Sequence, residues 1–239
     1  MYLKTYFSIF TAILLGLLFD TTLPALAQSE TAVVFNAGVG GNNTADLLKR
    51  IQTDCLDKSP DLTILMIGTN DMNSVKYIPL GQYEHNLIEI IDRIQQAHSQ
   101  VLLMNILPSY APYLFTRHPK AFYGNEGPEG RMAAMNAVIQ RIAMEKKVTF
   151  LDIHHIFEAI GNIGLDQSSY IRNELNSHMT DGIHPTPDGY RAIAVAVYEC
   201  IVNNHLPYQR VVCFGDSITH GDGTIDGKSY PAYLKRLLN

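Results

Sequence analysis

The sequence is short of positive charge. Its 18 lysines and arginines face 23 aspartates and glutamates, a formal net charge of −5 at pH 7. That mild acidity argues against a nucleic-acid partner, which wants a basic face. Cysteine is scarce as well: Cys55, Cys200 and Cys213 are an odd number at wide spacings. Such a set is neither a disulfide framework nor a zinc pattern, and at most one pair can bridge. Burial as small apolar residues is the expectation for all three. There is no internal repeat and no low-complexity tract, and the apolar run at residues 7–19 is too short for a comfortable membrane span. That run follows Lys4, stops at Asp20 and precedes Ala25-Leu26-Ala27. Charge, apolar run and small-x-small site in this order predict a signal peptide over residues 1–27. The protein is then expected to be secreted or periplasmic, with no stable membrane insertion after cleavage. No cysteine follows the run closely, which argues against a lipid anchor. Residues 28–239 are left as a single domain with a full core.

What is present is an alternation of two periods. Apolar runs at residues 32–35, 62–67, 101–106, 148–151 and 211–214 are continuous, as in parallel strands covered on both faces. Stripes at helical spacing occupy 80–97, 132–143, 190–202 and 230–238. The pattern predicts a three-layer α/β/α sandwich around a five-stranded parallel sheet with right-handed crossovers. Residues 108–130, rich in Pro, Gly and aromatic side chains, read as a long loop of the binding or lid kind.

In an open α/β sheet, ligands bind beyond the C-terminal ends of the strands. Three polar, glycine-containing turns fall there: Asn36-Ala37-Gly38-Val39-Gly40-Gly41, Gly68-Thr69-Asn70-Asp71 and Phe214-Gly215-Asp216-Ser217. Asp181-Gly182-Ile183-His184-Pro185 precedes the stripe at 190–202. Ser217 is a weak nucleophile unless a base takes its proton. His184 is the candidate base, and Asp181, three residues earlier, is placed to hold one imidazole nitrogen. The first turn offers backbone N–H groups for an oxyanion, and Asn70 offers a side-chain amide. The first turn lacks the full dinucleotide fingerprint, and each block alone is a weak signal.

Together the four blocks resemble those of the SGNH hydrolases, also called the GDSL esterase/lipase family. The resemblance implies a flavodoxin-like sheet and a serine ester hydrolase that needs no metal or other cofactor. It implies a triad of Ser217, His184 and Asp181, and an oxyanion hole of Ser217, Gly41 and Asn70. Asp216, His220 and Tyr110 are candidate substrate-binding residues, although Asp216 also suits a structural hydrogen bond within the turn. The turn is not the elbow of the α/β-hydrolases, because Thr219 stands where a second glycine belongs.

One feature departs from the family: the serine block comes last instead of first. A circular permutation accounts for it, with the old termini joined through residues 203–210. The sheet order in this chain then becomes 1-5-2-3-4, with the last strand inserted between the first and second. The rival is that Ser217 opens a second, truncated domain. His178, Asp181 and His184 form H-x-x-D-x-x-H, but no closed ligand set at standard metal spacing is present. His178 is expected to pack near the loop. The expected substrate is a small-molecule or polysaccharide ester, an acetyl ester first. A lipase or lysophospholipase activity is the alternative, as is an inactive glycan-binding protein on the same scaffold.

Overall fold

The computed structural model describes residues 31–223 and 227–239. The expected signal peptide lies outside the described residues. Five strands form one parallel sheet: β1 (Val33–Gly38), β2 (Leu62–Met66), β3 (Gln100–Met104), β4 (Thr149–Leu151) and β5 (Arg210–Gly215). Their order is β1-β5-β2-β3-β4, as expected. The last strand is the one with parallel neighbours from the beginning of the chain on both sides. Val33 pairs with Arg210 in one ladder, and Leu62 pairs with Val211 in the other.

Helices cover both faces. In chain order they are α1 (Thr44–Asp54), α2 (Leu80–Gln96), α3 (Ala111–Leu114), α4 (Gly127–Lys146), α5 (Ile153–Ile160), α6 (Glu174–Ser177), α7 (Pro187–Asn203), α8 (Ser217–His220) and α9 (Tyr230–Leu238). Alternation along the strands sends successive side chains to opposite layers. Leu65, Leu103, Val212 and Phe214 pack with α1, α2 and α4 through Leu47, Ile51, Leu87, Ile91 and Ile139. Ile64, Leu102, Val211 and Cys213 pack with α5, α7 and α9 through Phe157, Ile193, Val197, Ile201 and Leu234. Each fully buried side chain of this size contributes about 1.5–3 kcal/mol.

Several boundaries differ from the sequence expectation. Strand β1 runs on through Asn36, Ala37 and Gly38, which pair with Cys213, Phe214 and Gly215, so the turn proper begins at Val39. A helix is expected after the first turn, but the bounds of α1 are not legible because its apolar residues are few. A capping box fixes its start: the Asn43 side chain accepts from Asp46 N–H, and the Asp46 carboxylate accepts from Asn43 N–H. The stretch 108–130 is not one long loop. It holds α3, a 3-10 turn over Lys120–Tyr123 and the first residues of α4. All three cysteines are free; Cys55 and Cys213 are buried, but Cys200 on α7 is only half-buried.

Candidate active site

Strand β5 delivers Ser217 beyond the sheet. Asp216 caps the single turn α8, its Oδ1 accepting from Ile218 N–H at 2.9 Å, and Ser217 is the first residue of that turn. Two glycines make the approach possible. A Cβ on Gly215 would lie 2.3 Å from Met66 O. A Cβ on Gly38 would lie 2.1 Å from His220 N. The turn that carries Ser217 therefore rests directly on the ends of β1 and β2.

His184 lies in the segment before α7. The Asp181 carboxylate faces its ring, with Nδ1 at 2.9 Å from Oδ1 and 3.0 Å from Oδ2. The other nitrogen, Nε2, is 2.9 Å from Ser217 Oγ. Asp181 Oδ1 also accepts from Ile183 N–H and His184 N–H, both at 3.0 Å. Burial works against charge on Asp181, but the His184 hydrogen bond and charge, with those two N–H groups, outweigh it and hold the carboxyl at about 2. An ionised Asp181 accepts a hydrogen bond from Nδ1–H, which in the neutral form of the ring turns the Nε2 lone pair toward Ser217. The backbone of this segment is held in turn. Tyr110 N–H donates to Gly182 O at 2.9 Å, and the Arg117 guanidinium donates to Asp181 O.

The turn after β1 lies beside the same strand end. Val39 N–H donates to Gly215 O at 3.2 Å. Gly41 takes φ 75°, a conformation glycine adopts without strain, and its N–H has no acceptor among the described residues. The Ser217 N–H likewise has none. Asn70 donates one Nδ2 hydrogen to Asn42 O at 2.8 Å, which leaves its second hydrogen available. Asp71, the next residue, is buried, and its Oδ1 takes Thr44 N–H at 3.0 Å and Thr44 Oγ1 at 2.5 Å. That pair ties the β2 turn to the start of α1.

A model of the GDSL-like lipase/acylhydrolase family matches residues 18–192. The chain belongs to that family. Its members are ester hydrolases, and the match stops short of β5 and Ser217. An uncharacterised lipoprotein of Bacillus subtilis, YqeF, is 25% identical over 194 residues, covering 75% of this chain and 76% of its own. An acetylxylan esterase of Geobacillus stearothermophilus is 26% identical over 137 residues, 53% of this chain and 57% of its own. Among solved structures, a putative acylhydrolase from Bacteroides fragilis superposes with TM-score 0.56 at 23% identity, over 71% of this chain and 74% of its own. The acetyl xylan esterase AlAXEase superposes with TM-score 0.55 at 24% identity, over 69% and 79%. At these identities the two structures bear on the fold.

The remaining candidates of this GDSL-like chain are placed as follows. Asp216 is enclosed, 1% exposed, with Oδ2 unpartnered, and burial with the nearby Asp71 charge lifts its carboxyl to about 7. His220 is exposed and uses Nδ1–H on Gly38 O at 3.0 Å. Tyr110 is half-buried and stacks edge-on against Tyr113. His178 does not pack near the loop as expected; it is the exposed, left-handed cap of α6. The aromatic stretch is also less available to a sugar than its composition suggests. Tyr113 and Tyr123 are buried, and the Arg131 guanidinium lies over the rings of Tyr77, Phe122 and Tyr123. One residue at the site escaped the sequence reading altogether. Arg50 on α1 lies 4.6 Å from the Phe214 ring centroid and donates to Asn42, Ala37 and Gly215. Its signal is faint: a cation beside Leu47 and Ile51 on the stripe of α1 that faces the sheet.

Proposed function

We propose that this family member is a secreted serine hydrolase that removes small acyl groups, acetyl first, from carbohydrate or other small esters. The observation that carries the reading is the His184 ring held between the Asp181 carboxylate and the Ser217 hydroxyl. The acetylxylan esterases among its relatives support the choice of acetyl, and the apolar run at residues 7–19 with Ala25-Leu26-Ala27 after it supports export. Ser217 Oγ attacks the ester carbonyl carbon while His184 Nε2 takes its proton. The carbonyl oxygen becomes an oxyanion held by the N–H groups of Gly41 and Ser217 and the amide of Asn70. The C–O bond breaks, and the departing alkoxide takes the proton from His184. Water, deprotonated by His184, then attacks the acyl-enzyme and releases the carboxylic acid and Ser217.

Hydrolysis of p-nitrophenyl acetate tests the chemistry. Ser217→Ala should lower kcat by on the order of 10⁶, to background. Asp181→Asn should lower it by on the order of 10⁴, because the ring loses its tautomer. Persistent activity in Ser217→Ala would remove the nucleophile assignment. A p-nitrophenyl ester series should fall off from acetate with chain length, and acetylated xylan should release acetate. A preference for long acyl chains would favour a lipase-type reading.

The order of the blocks is read as a circular permutation. Its support is that β5 pairs with both β1 and β2, and that Asn239 beyond α9 reaches the start of β1. There, Ala32 N–H donates to Asn239 Oδ1 at 2.8 Å, and Asn239 Nδ2 donates to Ala32 O at 3.2 Å.

A further inference from the structure

We propose that Arg50 is the positioning residue of the oxyanion hole, an inference that rests on the assignment of Gly41, Asn70 and Ser217 as its donors. The β1–β5 ladder ends at the pair Gly38–Gly215. Gly41 and Ser217 both lie beyond that pair, where the two segments are linked by Val39 N–H on Gly215 O, the Asn36 amide on His220 O and the His220 ring on Gly38 O. Arg50 adds a clamp at the end of the ladder, holding both strand ends and the turn that follows β1. Its Nη1 donates to Ala37 O at 2.9 Å on β1, and its Nη2 donates to Gly215 O at 2.8 Å on β5. Its Nε donates to Asn42 Oδ1 at 2.6 Å, on the residue next to Gly41. The Asn42 backbone carbonyl in turn takes the Asn70 amide. Gly41 and Asn70 are thus two covalent or hydrogen-bonded steps from one guanidinium, and Ser217 is three.

The surroundings fix the guanidinium itself. Its side chain is 15% exposed, lies over the Phe214 ring and meets Asp54 Oδ2 at 3.0 Å. A planar fork of five N–H donors suits acceptors on two strands and a turn at once, and a lysine ammonium, a point charge on a flexible stem, does not. Arg50 touches neither the nucleophile nor the base, so its effect falls on where the oxyanion is met. A displacement of about 1 Å at such a site costs up to about 10²-fold in rate.

The test is steady-state kinetics of Arg50→Lys and Arg50→Ala with p-nitrophenyl acetate, normalised to folded protein by circular dichroism. We expect kcat to fall about 30- to 100-fold with KM changed less than about threefold. The pH midpoint of kcat/KM should stay where it is in the wild type. Affinity for a boronic acid that forms a tetrahedral adduct on Ser217 should weaken in parallel with kcat/KM. Added guanidinium should restore part of the rate to Arg50→Ala and none to Arg50→Lys. An unchanged kcat per folded molecule, or a rise in KM alone, would overturn the proposal. If the Arg50 variants do not fold, Asn42→Ala removes the Nε acceptor, and it should show the same split between kcat and KM in smaller measure; no split would again overturn it. Failure of Ser217→Ala to abolish activity is a separate result, which removes the active-site reading instead.

Discussion

At the scale of single residues, the site is a contest between burial and hydrogen bonding for three carboxyls. Asp181 wins its charge, because His184 and two backbone N–H groups face it. Asp71 and Asp216 lose ground: burial pushes them up to about 6 and about 7, and each keeps one oxygen with no partner. The sign for Asp216 follows from linkage. The folded state holds the proton more tightly than the unfolded chain, whose carboxyl titrates near 3.8. Between about pH 4 and pH 7 unfolding releases a proton, so stability falls as pH rises through that window. Asp216→Asn keeps an acceptor for Ile218 N–H and removes the ionisation. Thermal melts at pH 5 and pH 8 should show the wild type losing Tm over this range by on the order of 5 °C more than the variant. An equal change in both proteins would mean that Asp216 does not titrate there. Residue chemistry of this kind was half legible beforehand. Ser217, His184 and Asp181 stand in short, recognisable blocks, whereas Arg50 acts through carbonyls that no sequence pattern marks.

At the scale of elements, strands were easier to read than helices. A strand buried on both faces has to be continuously apolar, which made β2, β3 and β5 visible; the edge strands β1 and β4 are only partly buried, and the short runs at 32–35 and 148–151 marked them. Helix α1 has a largely polar surface and depends on the Asn43–Asp46 capping box and on Asp71 for its start. Helix α4 begins five residues before its apolar stripe, with Pro128 in its first turn. The one-turn helix α8 is set by contact more than by propensity, because the backbone at Thr219 and His220 lies against Gly38. Gly38→Ala would place a methyl 2.1 Å from His220 N, inside any permissible contact. We expect this variant to lose about 1–3 kcal/mol in urea unfolding. Activity per folded molecule should fall with it, since the turn that moves carries Ser217. A variant with unchanged stability would show that the turn is not wedged against β1.

At the scale of the whole molecule, β5 is the last strand in the chain and an interior strand of the sheet. Without it, β1 and β2 lose their shared neighbour and expose two unpaired edges. A fragment of residues 28–209 should therefore be insoluble or molten, without the cooperative melt of the full chain. A well-folded fragment would count against the β1-β5-β2 order. The converse experiment joins Asn239 to Ala32. Asn239 already reaches Ala32, so a short linker between them, with new termini opened in residues 204–209, should fold and keep its esterase activity. Loss of a cooperative transition in that protein would count against the permutation.

The sequence by itself determined the layer architecture and the GDSL-like family of the chain. Apolar period follows from burial, and a serine, a histidine and an aspartate in short family blocks are the residue types that acyl transfer uses. Only the tertiary structure decided how the pieces meet. The ladder stops at Gly38 and Gly215, Arg50 ties the strand ends to Asn42 in the turn after β1, and the aromatic stretch spends its rings on Arg131 and on one another. Those outcomes depend on contacts between residues more than a hundred positions apart in the first two cases, and on side-chain packing in the third. Local pattern carries neither, because hydrogen-bond partners and burial are set by where the chain returns.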